Sequence, residues 1–186
     1  MKLDIAEATS TLQAALVKLG HEQSEAEIIA DHLMDCELRG LDYAGFARVL
    51  SIADRLGQKG SAKGTIRVLR ETGASARLDG AGKLGYLVAR RATEIVMEKA
   101  LENGIAIVAA SDTWYTGMLS YYAEQAVAKD LVVMIASNAS PWVAPHGGTE
   151  GRFGTNPICF GFPSAEHPVI WDIGTSSIIH AQVVLA

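Results

Sequence analysis

Gly147-Gly148-Thr149-Glu150-Gly151-Arg152-Phe153-Gly154-Thr155-Asn156-Pro157 runs straight into the apolar segment Ile158-Cys159-Phe160-Gly161-Phe162. A second strand-like run, Val169-Ile170-Trp171-Asp172-Ile173, follows and ends in Gly174-Thr175-Ser176. Four glycines within residues 147–154 allow positive φ and a close approach of backbone to ligand. Arg152, Thr155 and Asn156 add donors suited to a carboxylate or a phosphate. Taken alone, the stretch reads as a long hairpin connection; its donors also suit a ligand-binding loop.

Composition narrows the classes. A chain of 186 residues holds one domain with a real core, or one and a half small ones. With 49% apolar and 20% charged residues it reads as a soluble globular protein rather than a disordered one. The net charge of -5 and the lack of any basic stripe argue against a nucleic-acid partner. Met1-Lys2-Leu3-Asp4 carries no signal-peptide apolar region, and no run approaches the roughly 18 apolar residues of a membrane span. A cytoplasmic protein without a membrane partner is expected. Cys36 and Cys159 lie far apart and read as two buried free thiols, not as a disulfide or a metal pair.

Along the chain, Ile5 to Leu19 reads as a helix closed by Gly20. Ser24-Glu25-Ala26-Glu27 is a capping box opening a second helix, with Ile28, Ile29, His32, Leu33 and Cys36 on or near one face. His32, without a second ligand at helical spacing, reads as a packed or half-exposed helix residue. Arg39 to Gly45 interrupts the pattern, and Phe46 to Leu56 resumes it as a third helix. Thr65–Glu71 and Ala76–Leu78 look like short strands. Gly85 to Asn103 is a long amphipathic helix ended by Gly104. Met118 to Lys129 is a further helix. Ile105–Ala110 and Leu131–Ala136 read as buried strands, expected to share one sheet with 158–162 and 169–173. The polar stretch Gln58 to Gly64 suggests a seam, giving a helical domain over 1–62 and an α/β domain over 63–186.

Gly80-Ala81-Gly82-Lys83-Leu84-Gly85 matches the dinucleotide fingerprint GxGxxG and precedes a helix. The strand before it is short and carries Arg77 and Asp79, unlike a central parallel strand. Asp112 lies beyond the expected ribose-binding position. The early chain also lacks helix–strand alternation. The glycines are therefore expected to serve turn geometry.

Several blocks taken together are more specific. Ala144 to Ser176, Glu37-Leu38-Arg39-Gly40-Leu41-Asp42, Gly45, Arg48, Gly117 to Ala123 and Ser137-Asn138-Ala139 resemble the malate/L-lactate dehydrogenase-like oxidoreductases. These are NAD(P)H-dependent reductases of 2-oxo acids and cyclic imines, unrelated to the Rossmann dehydrogenases. The resemblance extends to Ala186 and, since the family's chain is close to twice this length, implies the N-terminal half of a longer polypeptide. It implies an α/β, non-Rossmann fold in which an N-terminal helical domain precedes a mixed sheet flanked by helices. It also implies NAD or NADP as cofactor, a small carboxylate-bearing substrate and a homodimer. By position, Arg48 is the residue that grips the substrate carboxylate, which suits a planar guanidinium fork. The cofactor is expected at Trp114, Tyr115, Thr116, Gly117, Met118 and Leu119, at Thr155 and Asn156, and at Trp171, Asp172 and Ile173.

The departures bear on chemistry. Family members read Asp-Ser-His-Gly where this chain has Asp42-Tyr43-Ala44-Gly45, and that histidine is the usual proton donor. A second usual histidine falls at about Tyr115, and a charged position after Asp172 falls near Gln182. Reduction of a ketone needs a hydride at carbon and a proton at oxygen, and loss of the donor removes about 10² to 10⁴ in rate. Tyr43 or Tyr115 could supply the proton if a cation favours the phenolate. Arg48, close in sequence, is expected to do so for Tyr43, which is then expected to face the reacting atom. Alternatively both tyrosines only line a pocket with Trp114. His146 and His180 remain as acids that also read as structural. An iminium substrate would need less help, because it already carries its proton. A catalytically silent relative that binds a nucleotide or small acid, or serves as an assembly partner, is the rival reading.

Overall fold

A computed structural model describes residues 3–62 and 64–176. His180 and Gln182 lie outside the described residues. The chain divides into two compact units, Met1–Gly117 and Met118–Ala186. The seam read at 58–64 falls inside the first of them.

The first unit begins with three helices, α1 (Ile5–Lys18), α2 (Gln23–Leu38) and α3 (Ala47–Lys59). Asp4 caps α1 by accepting the Ala6 amide at 2.9 Å, and Gly20 ends the turn after it at φ 97. The capping box read at Ser24 does not form. Helix α2 starts at Gln23 after an extended Glu22, with no side-chain cap, so Ser24 falls within its first turn; Gln23 Nε2 donates to Glu27 Oε1 at 2.9 Å. Leu12 and Leu16 of α1 pack with Ile29 and Leu33 of α2 and Ile52 of α3 in one core. Leu84, Tyr86 and Leu87 at the start of α4 (Gly85–Asn103) complete that cluster.

Strands β1 (Arg67–Glu71), β2 (Ser75–Asp79) and β3 (Ile107–Ser111) form the unit's sheet in that order. β1 is antiparallel to β2, and β2 is parallel to β3 in the register Ser75↔Ile107 to Asp79↔Ser111. A parallel pair needs a crossover, and α4 supplies it. Its Ile95 packs on Ala76 and Leu78. Gly104, left-handed at φ 79, stops α4 where the sequence places its end.

The second unit holds α5 (Ser120–Val127), β4 (Val133–Ala136), β5 (Ile158–Phe162) and β6 (Val169–Ile173). These strands form an antiparallel meander, β4–β5–β6. Leu119 and Ala123 pack on Cys159 over one face. Gly161 permits this, since a Cβ there would come 2.9 Å from Val127 and Val133.

Two expectations need correction. The four apolar segments do not share one mixed sheet: β3 pairs with β2 across α4, whereas β4, β5 and β6 pair among themselves. Apolar content marks a strand but not its partner, which local connections decide here. Nor are β3 and β4 buried on both faces. Ile107 is 69% exposed and Met134 63%, because each sheet is covered on one face by its own unit's helix among the described residues.

Candidate active site

Arg48 stands in the first turn of α3, and the chain before it is tied down tightly. Leu41 N–H donates to the Cys36 carbonyl, and Ala44 and Gly45 N–H both donate to the Leu41 carbonyl. Glu37, from the last turn of α2, accepts the Phe46 amide at 2.9 Å and so satisfies one of α3's orphan donors. A Cβ on Gly45 would collide with that carboxylate. The Glu37…Gly45 part of the motif is thus a helix-entry device that sets the direction of Arg48.

The floor near Arg48, whose charge acts on Cys36 and Tyr86, is buried. His32 and Cys36 of α2 and Tyr86 of α4 are all 2% exposed or less. The His32 and Tyr86 rings meet at 4.8 Å between centroids. Burial, with the charge of Arg39 second, pushes His32 down to about 3, so the imidazole is neutral near pH 7. Burial pushes the Cys36 thiol up to about 12 and raises the Tyr86 phenol. None of these groups is poised as an acid at neutral pH. Both cysteines are free and buried, as read from the sequence.

Residues 113–117 are anchored above the turn at Gly80–Gly85. Gly85 N–H donates to the Trp114 carbonyl at 2.6 Å, Trp114 Nε1 donates to the Gly82 carbonyl at 2.8 Å, and Thr113 Oγ1 donates to the Lys83 carbonyl at 2.9 Å. A Cβ on Gly85 would lie 2.7 Å from the Thr116 backbone, and one on Gly80 2.6 Å from the Asp112 carbonyl oxygen. The fingerprint-like glycines are therefore spent on a turn and on close packing. The leading amide of α4 is also occupied, and its first turn is buried.

Two arginines of α3 clasp this segment. The Arg48 guanidinium carbon sits 4.8 Å from the Tyr115 ring centroid, and that of Arg55 sits 4.3 Å from the Trp114 centroid. Trp114 and Tyr115 are themselves in tilted contact at 5.1 Å. Tyr115 is left-handed at φ 55, a conformation non-glycine residues seldom adopt. Gly117 closes the segment at φ 80, and a Cβ there would strike both His32 and Tyr86. Arg48 thus lies against Tyr115, a contact the sequence reading did not name. Tyr43 itself is half-buried in the turn before α3.

In the second unit the glycine-rich loop joins β4 to β5, as a hairpin reading requires. Val143 and Phe153 exchange backbone bonds across it at 2.7 and 2.9 Å. Asn156, at φ 36, accepts the Ala139 amide through Oδ1 at 3.0 Å. The Thr155 carbonyl accepts from Thr175 N–H and Oγ1 at 2.7 and 2.8 Å. Arg152 is engaged by Glu150 at 2.6 Å. Thr155 Oγ1 and the Asn156 amide nitrogen remain as donors without a partner among the described residues. Asp172 accepts the Ser120 amide at 2.7 Å, capping the start of α5. Trp171 is 50% exposed and stacks on Phe160 at 5.9 Å. Leu119 is buried, and His146 is exposed.

Of the site residues read from the sequence, the first unit holds Tyr43, Arg48, Trp114, Tyr115, Thr116 and Gly117. The second holds Met118, Leu119, Thr155, Asn156, Trp171, Asp172 and Ile173. Arg55 escaped the sequence reading, because no local signal links it to Trp114. So did a cluster in which Glu25 bonds both His21, at 3.4 Å, and Lys83. Burial alone would raise Glu25, yet Lys83 and then His21 hold its carboxyl below the ordinary range. Burial lowers His21 further than Glu25 raises it.

A model of the malate/L-lactate dehydrogenase family matches residues 3–186, and the chain belongs to that family. It is 31% identical to the L-sulfolactate dehydrogenase of Methanothermobacter thermautotrophicus, over 100% of this chain and 55% of that protein. It is 35% identical to a malate dehydrogenase of Pyrococcus horikoshii, over 91% of this chain and 47% of the relative. The solved malate dehydrogenase from Pyrococcus horikoshii OT3 superposes with a TM-score of 0.92 at 32% identity, covering 98% of this chain and 53% of that one. A delta1-piperideine-2-carboxylate reductase from Pseudomonas syringae superposes with a TM-score of 0.90 at 26% identity, over 100% and 57% of the two chains. The chain thus spans about half the length of the relatives it matches.

Proposed function

We propose that the protein is an NAD(P)H-dependent reductase of a small 2-oxo acid or cyclic imino acid. The observation that carries this is Arg48. Its guanidinium carbon sits 4.8 Å from the Tyr115 ring centroid, and its fork suits two parallel bonds to a carboxylate. The named relatives act on sulfolactate, malate and piperideine-2-carboxylate, all small carboxylates, which supports the same reading.

The donor set also fits the cofactor. The loop at 154–156 fixes its backbone through its own bonds, leaving Thr155 Oγ1 and the Asn156 amide to face a ligand, and Trp171 offers an exposed ring. The residues assigned to NAD or NADP are Trp114, Tyr115, Thr116 and Gly117 in the first unit. In the second they are Met118, Leu119, Thr155, Asn156, Trp171, Asp172 and Ile173. Asp172 serves by capping α5, and Leu119 by packing beneath it. When bound, the reduced nicotinamide supplies the hydride. Arg48 holds the acid, and the buried His32–Cys36–Tyr86 floor keeps water from beneath it. The occupied, buried start of α4 supports a non-Rossmann mode of binding. A homodimer working in the cytoplasm completes the proposal, and light scattering tests the assembly. Among the described residues no helix is long and apolar enough to cross a membrane.

Fluorescence titration with NADH and NADPH, followed by oxamate, tests the reading. Arg48→Ala should weaken oxamate about ten- to hundredfold, and Arg48→Lys should recover only part of that. Unchanged affinity in Arg48→Ala would remove the carboxylate clamp. Binding of nucleotide and acid without turnover of any acid would favour the silent relative, which Ala44 in the donor position makes the competing reading.

A further inference from the structure

We infer that Tyr115 is the residue that gives a proton to the substrate oxygen, an assignment resting on Arg48 as the carboxylate clamp. Arg48 lies over its ring at 4.8 Å, so a carboxylate held by Arg48 brings its neighbouring carbon close to this tyrosine. The Tyr115 hydroxyl has no hydrogen-bond partner among the described residues, and the residue is 37% exposed. Its proton is therefore available to a substrate and can be replaced from solvent.

The backbone is held in place for this task. Tyr115 is left-handed at φ 55, which costs energy for an aromatic residue and persists only where the surroundings impose it. The surroundings do so through the three bonds from Gly85, Trp114 and Thr113, through Arg55 on Trp114, and through the missing Cβ of Gly85. A wall residue would need no such fixing. A donor does, because proton transfer demands hydrogen-bond reach and alignment.

The balance is simple. The carbonyl carbon accepts a hydride from reduced nicotinamide, the C=O π pair moves to oxygen, and that oxygen takes the Tyr115 proton. The oxo acid is reduced to a hydroxy acid and the nicotinamide is oxidised. The Arg48 charge lies over the ring that carries the developing negative charge. A protonated cyclic imine needs only the hydride, since its nitrogen already carries the proton.

That difference gives the test. The purified protein and its Tyr115→Phe, Tyr115→His and Tyr43→Phe variants are assayed with oxaloacetate and with Δ1-piperideine-2-carboxylate, using both nicotinamide cofactors. Tyr115→Phe should lower kcat on the oxo acid a hundredfold or more and leave the imine within about threefold. Tyr115→His should restore much of the oxo-acid rate. Without turnover, Tyr115→Phe should weaken oxamate severalfold and leave propionate, which has no oxygen on the carbon beside its carboxylate to accept the bond, unchanged. Equal falls on both substrates would mean a structural role and overturn the inference. So would an unchanged oxo-acid rate, a fall in Tyr43→Phe instead, or a parent protein that reduces only the imine. If the parent reduces only the oxo acid, the oxamate–propionate comparison decides. A parent that reduces neither ends the inference together with the proposed activity, whereas an unaltered oxamate affinity in Arg48→Ala strikes the clamp first.

Discussion

Replacing His32 by glutamine should flatten the acid side of the stability profile. The folded imidazole sits at about 3 because burial penalises its charged form, while the unfolded chain titrates near 6.5. Above pH 6.5 both states are neutral and the site costs nothing. As pH falls below 6.5 the unfolded chain takes up a proton that the folded protein refuses, so stability is lost progressively until the folded group protonates near 3. Linkage puts the loss at about 2 kcal/mol between pH 8 and pH 5, and about 3 kcal/mol by pH 4. Urea unfolding of parent and His32→Gln at pH 8 and pH 5 measures the difference of differences, so any fixed cost of the substitution cancels. Equal losses in the two proteins would refute the reasoning. If the variant does not fold, NMR titration of the parent decides, since every imidazole titrating above pH 5 would be the refuting result.

Gly117→Ala should cost at least about 2 kcal/mol in thermal unfolding, because a positive φ and a collision with His32 and Tyr86 act together. Glu37→Ala should cost about 1.5 kcal/mol and loosen oxamate binding through the α3 entry, while Glu37→Gln keeps an acceptor for the Phe46 amide and most of both. Equal behaviour of the two variants would mean the cap does not orient Arg48. Arg55→Ala should lose about 0.5–2 kcal/mol of stacking on Trp114 and speed amide hydrogen exchange over residues 113–117; unaltered exchange would assign the rigidity of that segment to its backbone bonds alone.

Elements whose limits are set by local chemistry were legible in the sequence. Helix α4 begins and ends where Gly85 and Gly104 place it, and β5 and β6 match their apolar runs residue for residue. The turn at Gly80–Gly85 was also legible: Gly82 takes a positive φ and the Lys83 amide closes on the Gly80 carbonyl. Pairings between distant segments were not legible. Nothing in Ile107–Ser111 states that it joins β2 rather than β4, and its apolar content suggested burial that the sheet does not provide. The contact of Arg48 with Tyr115 was not legible for the same reason, since no local signal links residues so far apart in sequence. Ser24 does not cap because α2 already begins at Gln23, which puts Ser24 inside the first turn.

The left-handed backbone at position 115 is imposed by its neighbours, not by the tyrosine ring itself. The position can therefore change its side chain without moving the loop, and histidine is among the residues that tolerate this conformation best. Tyrosine and histidine codons differ by a single base. A proton donor of one kind can be exchanged for the other in one mutational step, with the scaffold already prepared to receive it.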